Sequence, residues 1–562
     1  MPIRLRIVWQ VLGIAMIAIL WGSIDAPFVY DDKLEVIGNP TIRDINEWQA
    51  IISYNRARAL LQLSYAINYA QASLQPQTYH ITNLLIHFFS IGAALWMIVQ
   101  MATLTRHHSP VWISAIATAV WALHPMVTES VVYTTGRSES LCAMFCFLSL
   151  GAWCTALDKQ NFWWRIPGLF FCLCAMLSKE VGIVIPIVFA YMDSRWTVQS
   201  ARKWLTALYG LLFCFMLYAF AVRYWAVNQA LLLIHETVEM PMVLERIIPQ
   251  EVPRPLSVRL TTQAEVWLRY IGLWLLPIKQ TIYHHITDSS VFSIRGMTGI
   301  IGWLTTMGVL WTYSKNKPFA RLSFVIMCLV LLPSSSLASL KENMAEHRSH
   351  QMGLFLLMYI FSLVPKLSHH RQLGATILVL PVGFLTFLRA QVWQSEVALW
   401  KEATERNPDV GEAWYGLGDA HRFADDFEPA ISAFQRCVQL DPDYLDGWNN
   451  LGITFAETGQ YDKAKAAWKA LLTRAPQNCK AHNNLGSLAF QQQEWTVSQG
   501  EFMSTLQYCP KNVIAHYSLG NLYYGPLKNE QLSAHHYQMT LNINPTFVYA
   551  AEARKRLLEL TW

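Results

Sequence analysis

The sequence predicts an all-α chain in which a polytopic membrane helical bundle is followed by an α-solenoid of short helical repeats. Apolar runs of roughly membrane-spanning length recur from Met1 to about Arg389. Charged residues are only 14% and apolar residues 53% of the 562, where soluble domains hold roughly 25% and 45–50%. Prolines at 408, 442, 476, 510 and 545 set a period of 34 to 35 residues in the last third. A net charge of +5 spread over this length makes no basic stripe, which sets nucleic-acid binding aside.

The first apolar run, Ile7 to Ile24, follows Arg4 and Arg6 and lacks a small-residue cleavage pattern. It is expected to be a retained first span that starts in the cytoplasm. Further spans are expected near 81–102, 111–124, 139–157, 165–178, 181–193, 204–225, 264–279, 296–313, 320–337, 351–367 and 372–390. Basic clusters at Arg106–His108, Lys159–Arg165, Arg195–Lys203, Lys315–Arg321 and Lys366–Arg371 mark cytoplasmic loops. Twelve full crossings would put Lys315, Lys317 and Arg321 outside, so one segment must fail to cross. The segment 264–279 carries Glu265 and Arg269 and follows Pro253-Arg254-Pro255. It is read as re-entrant or interfacial, which leaves eleven crossings in a membrane domain of residues 1–390.

Residues 391–562 read as tetratricopeptide repeats. Repeats are expected near 411–444, 445–478, 479–512 and 513–547, with a closing helix at 548–562. Small and large positions align: Gly418 with Phe434, Gly452 with Trp468, Gly486 with Phe502, Gly520 with Tyr537. Glycine and alanine let the paired helices approach, large residues fill the gap, and proline ends the second helix. One inserted residue near Gly525-Pro526 accounts for the last interval. Cys479 and Cys509 fall at one end of the third repeat, where either a disulfide or two free thiols fits. The ten cysteines form no C-x-x-C pair, and no metal ligands are assigned.

Polar residues that could carry chemistry cluster on the outer side of this topology. The first outer loop holds Asp25, Asp31 and Asp32, the next His124, Glu129, Arg137 and Glu139. A later turn adds Lys179-Glu180, and the last outer loop adds Glu342, Glu346, His347, Arg348 and His350. Unpaired polar groups at membrane depth are costly. Helix capping explains any one cluster, but four on one face suggest a shared site. Cations there would neutralise a departing phosphate, and a carboxylate would take the proton of an attacking hydroxyl.

Several ordered motifs carry a resemblance. They are Tyr30-Asp31-Asp32 with Ile37-Gly38-Asn39-Pro40, Tyr79-His80-Ile81-Thr82-Asn83, and Ala122-Leu123-His124-Pro125 with Gly136-Arg137-Ser138-Glu139. Leu177-Ser178-Lys179-Glu180 and Met344-Ala345-Glu346-His347-Arg348 follow in order. The chain resembles the transmembrane and tetratricopeptide repeat containing family across nearly its whole length. The resemblance implies a C-type-superfamily glycosyltransferase, similar to protein O-mannosyltransferases, that uses a polyprenyl-phosphate sugar outside the cytoplasm.

Carried over by position, Asp31 or Asp32 would supply the catalytic base. Arg137 and Arg348 would face the donor phosphate, with Lys179, His124, Glu129 and His347 as further substrate-binding candidates. No cofactor is evident; a divalent metal is left open. The partners implied are the lipid-linked sugar and an acceptor protein docked on the repeats. The only N-x-S/T triplets have proline in the middle, at Asn39 and Asn544, which favours a bacterial inner membrane with periplasmic repeats over an endoplasmic reticulum with luminal ones. The competing reading is a non-enzymatic membrane-anchored repeat scaffold for envelope protein assembly.

Overall fold

A computed structural model describes residues 3–197, 255–333, 342–365, 374, 377, 379–545 and 547–560. The expected span at 204–225 lies outside them, as do parts of the segments at 320–337, 351–367 and 372–390. The described residues form helices and no strand. The chain divides into two compact units, one of described residues up to Leu399 and one from Trp400 onward.

The first unit is a membrane bundle. Among its described residues three helices are long and apolar enough to cross a bilayer: Ile3–Ser23, Pro76–Leu104 and Arg137–Asp158. At ~1.5 Å per residue the 29 residues of Pro76–Leu104 reach ~43 Å, well beyond a ~30 Å hydrocarbon layer. Pro110–Ala122 and Pro125–Val131 are long and apolar enough only when taken together, and they are bent by 62° at the break, the geometry of a broken span or a re-entrant loop. The break sits where proline dictates. Pro125 has no N–H to give, and the residue before a proline is pushed out of the helical region. His124 is accordingly extended, with φ −84° and ψ 139°, and its ring nitrogen accepts from the Met126 amide, capping the turn that follows.

Packing within the bundle relies on close approach. The helix Arg137–Asp158 presses Gly151 against Trp96, where a Cβ would meet the indole at 2.7 Å. The first helix is pinned by Trp9, whose indole N–H donates to the Phe88 carbonyl at 2.8 Å. Among the described residues the shorter apolar helices are Phe162–Met176, Pro318–Leu331 and Val379–Val392. Leu256–Leu275 is one continuous helix whose Glu265 pairs with Arg269 and Arg295.

The second unit is a stack of helix pairs: Gly411–Phe423 with Phe427–Leu440, Leu445–Glu457 with Tyr461–Arg474, Cys479–Gln491 with Trp495–Tyr508, and Val513–Tyr524 with Glu530–Ile543. Ala550–Leu560 follows them. In each pair the glycine of the first helix lies under the aromatic ring of the second: Gly418 under Phe434, Gly452 under Trp468, Gly486 under Phe502, Gly520 under Tyr537. Cys479 and Cys509, left open by the sequence, are joined in a disulfide with Cα atoms 6.2 Å apart.

Candidate functional site

Helices that alternate in direction bring remote parts of the sequence to one end of the membrane bundle. The cross-links there are specific. The Trp121 indole donates to the His350 carbonyl at 3.0 Å. Asn83 donates to the carbonyls of Val131 and Tyr133, both at 3.1 Å. The Leu60 amide reaches the Leu177 carbonyl at 3.1 Å. The acidic loop after the first helix, the start of Pro76–Leu104, the His124 break, the start of Arg137–Asp158, the Lys179 turn and the turn Glu346–Ser349 therefore share this end.

The acidic pair splits into two environments. Asp32 is fully buried; its two oxygens accept the amides of Val29 at 3.2 Å and Thr135 at 2.8 Å. Burial pushes its pKa up from 3.8 to about 7, against those amide bonds, which favour the charged form. Asp31 is half-buried, and its backbone N–H donates to the Tyr133 hydroxyl at 2.8 Å. Just before the pair, Tyr30 holds φ at +49°, a conformation that costs a non-glycine residue. Its hydroxyl bonds Glu342 from the last loop.

Arg137 faces inward. It is fully buried and donates to the Asn83 carboxamide at 2.6 Å, the Ser64 hydroxyl at 3.0 Å and the Tyr79 carbonyl at 2.9 Å. Its guanidinium also lies 4.9 Å over the Tyr65 ring. Lys179 forms a buried ion pair with Glu139 at 2.6 Å, and the neighbouring Glu180 takes Arg58 at 3.0 Å. His124, besides capping its turn, stacks on Trp274 with ring centres 4.4 Å apart.

The last loop supplies the most connected part. The Tyr270 hydroxyl both donates to the Ala345 carbonyl at 2.8 Å and accepts its amide at 3.3 Å. Glu346 is buried and accepts from the Thr281 amide at 2.8 Å, from His284 at 2.9 Å and from Gln280 at 2.9 Å. With the turn held on both sides, His347 meets Glu129: ring Nδ1 to Oε1 at 2.7 Å and backbone amide to Oε2 at 3.0 Å. Arg348 donates to the Glu342 carbonyl at 2.8 Å and lies 4.0 Å from its carboxylate. His347 in turn lies in the electrostatic field of Lys179, Glu139, Arg348 and Glu342.

The structure thus gathers Asp31, Asp32, Glu129, Lys179, His347 and Arg348 at one polar end, with Arg137 and His124 turned into the supporting packing. Sequence reasoning missed Gln280 and His284, which hold Glu346; two histidines after an apolar helix, His284-His285, were the available signal. Among the described residues no three His, Cys, Asp or Glu side chains gather as a metal-binding group.

Comparison with known proteins agrees with both units. Tetratricopeptide-repeat family models match residues 411–444 and 433–466. The Homo sapiens protein O-mannosyl-transferase TMTC3 is 21% identical over 77% of this chain and 51% of its own length. The repeats, less than a third of the chain, cannot supply that coverage alone. The Homo sapiens protein O-mannosyl-transferase TMTC4 is 28% identical over 32% of this chain and 28% of its own. The chain spans about half the length of TMTC3, and less of TMTC4. A tetratricopeptide-repeat protein of Thermus thermophilus, TTC0263, is 18% identical, covering 34% of this chain and 95% of its own at a TM-score of 0.25. With apolar helices, an ordered set of polar motifs and a repeat stack together in one chain, this protein is similar to the protein O-mannosyl-transferases TMTC3 and TMTC4.

Proposed function

We propose that this protein is a membrane glycosyltransferase that moves a sugar from a polyprenyl-phosphate donor to a hydroxyl, that of a protein Ser or Thr, on the extracytoplasmic face. The observation that carries the reading is the Tyr30–Glu342 hydrogen bond, which ties the acidic first loop to the loop of His347 and Arg348. Carboxylate and cations at one membrane-facing end suit a hydroxyl acceptor and a phosphate leaving group. The protein O-mannosyl-transferase relatives favour the same chemistry.

In this reading Asp31, half-buried, takes the acceptor proton, while Asp32, with both oxygens bonded to backbone amides, shapes the loop. Arg348 and Lys179 lower the cost of the developing phosphate charge. Arg137 acts at one remove, by fixing Asn83 and Tyr79 beneath the loop. Attack by the acceptor in a single displacement inverts the anomeric centre. The repeats hold the acceptor protein outside the cytoplasm, in the periplasm of a bacterial inner membrane, the side that an eleven-crossing topology would give them. The disulfide Cys479–Cys509 favours that side, since such bonds persist in oxidising compartments.

The test is transfer from a synthetic polyprenyl-phosphate sugar to a Ser/Thr peptide by the full-length protein. Asp31→Asn is expected to abolish transfer while membrane abundance stays at the wild-type level. If Asp31→Asn transfers normally and deletion of the repeats alone removes function, the scaffold reading replaces this one.

A further inference from the structure

We propose that His347 is the acid that protonates the departing phosphate, acting as the outward half of a His347–Glu129 dyad; this rests on the transfer reaction proposed above. Glu129 grips His347 twice, by ring nitrogen and by backbone amide. This fixes the ring in one orientation. The side chain of Glu129 is 6% exposed and that of His347 20%, so the dyad has a buried end and an open end. The open end is Nε2, which makes no hydrogen bond among the described residues, while Tyr270 and Glu346 hold the turn that presents it.

The protonation of the dyad follows from its surroundings. Lys179 faces Glu139, Arg348 faces Glu342, and Glu346 faces His284 and the charge of Arg389. His350 is buried beside His347, and the Tyr133 and Tyr270 hydroxyls lie near Glu129. Lys179 and Arg348 each have a carboxylate of their own, Arg389 acts on both Glu346 and Glu129, and a His347–Glu129 pair carrying one proton would be a buried anion beside the buried Glu346 carboxylate. The pair therefore keeps two protons. Whether the shared one sits on Glu129 or on Nδ1, the other is on Nε2, so the exposed atom is an N–H donor.

The step balances. The acceptor oxygen bonds the anomeric carbon and gives its proton to Asp31. The bond from that carbon to the phosphate oxygen breaks, its electron pair stays on the oxygen, and the Nε2 proton moves there. The dyad regains a proton from solvent through Nε2, and Asp31 releases one.

The experiment measures kcat and KM against pH for the full-length protein, with synthetic polyprenyl-phosphate mannose and a Ser/Thr peptide. His347→Gln, which keeps an N–H but cannot transfer it, is expected to lower kcat about 10²–10³-fold. The donor KM should stay within about two-fold, and the alkaline limb of the kcat profile should vanish. Glu129→Gln removes the counter-charge, so the imidazole gives up its acid form earlier and that limb moves to lower pH. A His347→Gln enzyme with wild-type kcat, or one impaired only in KM, overturns the proposal. Should His347→Gln fail to fold, an alkaline limb unmoved in Glu129→Gln overturns it equally. A wild-type protein that transfers nothing refutes the transferase reading itself, and is distinguishable from transfer that ignores His347.

Discussion

In the repeat unit the stabilising partners are near neighbours in sequence; in the membrane unit they are far apart. Trp468 donates to the Asn449 carbonyl 19 residues away, and Tyr537 to Asn521 at a separation of 16. In the membrane unit Glu129 meets His347 across 218 residues, Trp121 meets His350 across 229, and Tyr30 meets Glu342 across 312. One packing rule, glycine under an aromatic ring, serves every repeat, whereas at the polar end of the bundle no arrangement recurs. Local contacts form early and separately, while distant ones must wait for most of the chain. The difference teaches that damage should stay contained in one unit and spread in the other.

The largest effect should come from Arg137. Arg137→Met removes a buried cation and strands the Asn83 and Tyr79 oxygens it serves, at a cost of about 3–5 kcal/mol. Thermal unfolding of the detergent-solubilised protein should show the loss, and Arg137→Lys should not restore it, because one ammonium cannot reproduce the planar three-way fit. A mild phenotype would mean the distant contacts are not what holds this end together.

Next is the disulfide. Reduction, or Cys479→Ser, opens a loop that spans 30 residues of sequence separation, worth ~3 kcal/mol on loop-closure grounds. Limited proteolysis should then cut within the third repeat first. Smaller still, Gly418→Ala, Gly486→Ala and Gly520→Ala each push a Cβ into the facing ring, at roughly 1–3 kcal/mol. Similar shifts for all three would support a shared rule, and one strongly discrepant value would break it.

The gentlest probe is pH. Asp32, raised to about 7 when folded, binds its proton more tightly than the unfolded chain does. Its contribution is full below the ordinary 3.8 and is lost as pH rises through about 7. The unfolding temperature of the membrane unit should fall across that window, and Asp32→Asn should flatten the slope.

The repeats were legible because their signal is local. A proline interval of 34 to 35 residues and a glycine followed 16 or 17 residues later by an aromatic ring identify both helices and their contact. The polar end was legible only in composition. Asp31, Asp32, Lys179 and the Glu346-His347-Arg348 run stand out because charge is rare in apolar surroundings, and helix alternation then brings them to one end. Their partners did not stand out. Asp32 is held by the backbone amides of Val29 and Thr135, and every residue but proline carries an amide. Arg137 sits at the start of its helix, the position of a ligand-binding arginine, and only the packing of Ser64, Tyr79 and Asn83 around it reveals that it points inward. Gln280 and His284 lie in an irregular stretch, between Leu256–Leu275 and Ile294–Tyr313, that has no period to read.

One consequence of the covalent link in the third repeat is mechanical. The link closes the helices Cys479–Gln491 and Trp495–Tyr508 into a single ring of chain. A translocase or protease dragging on the carboxy terminus could strip away the fourth pair, but would then reach a knuckle that cannot be straightened into a thread. Peeling would stall there until a reductant arrived, leaving the first two pairs still wound.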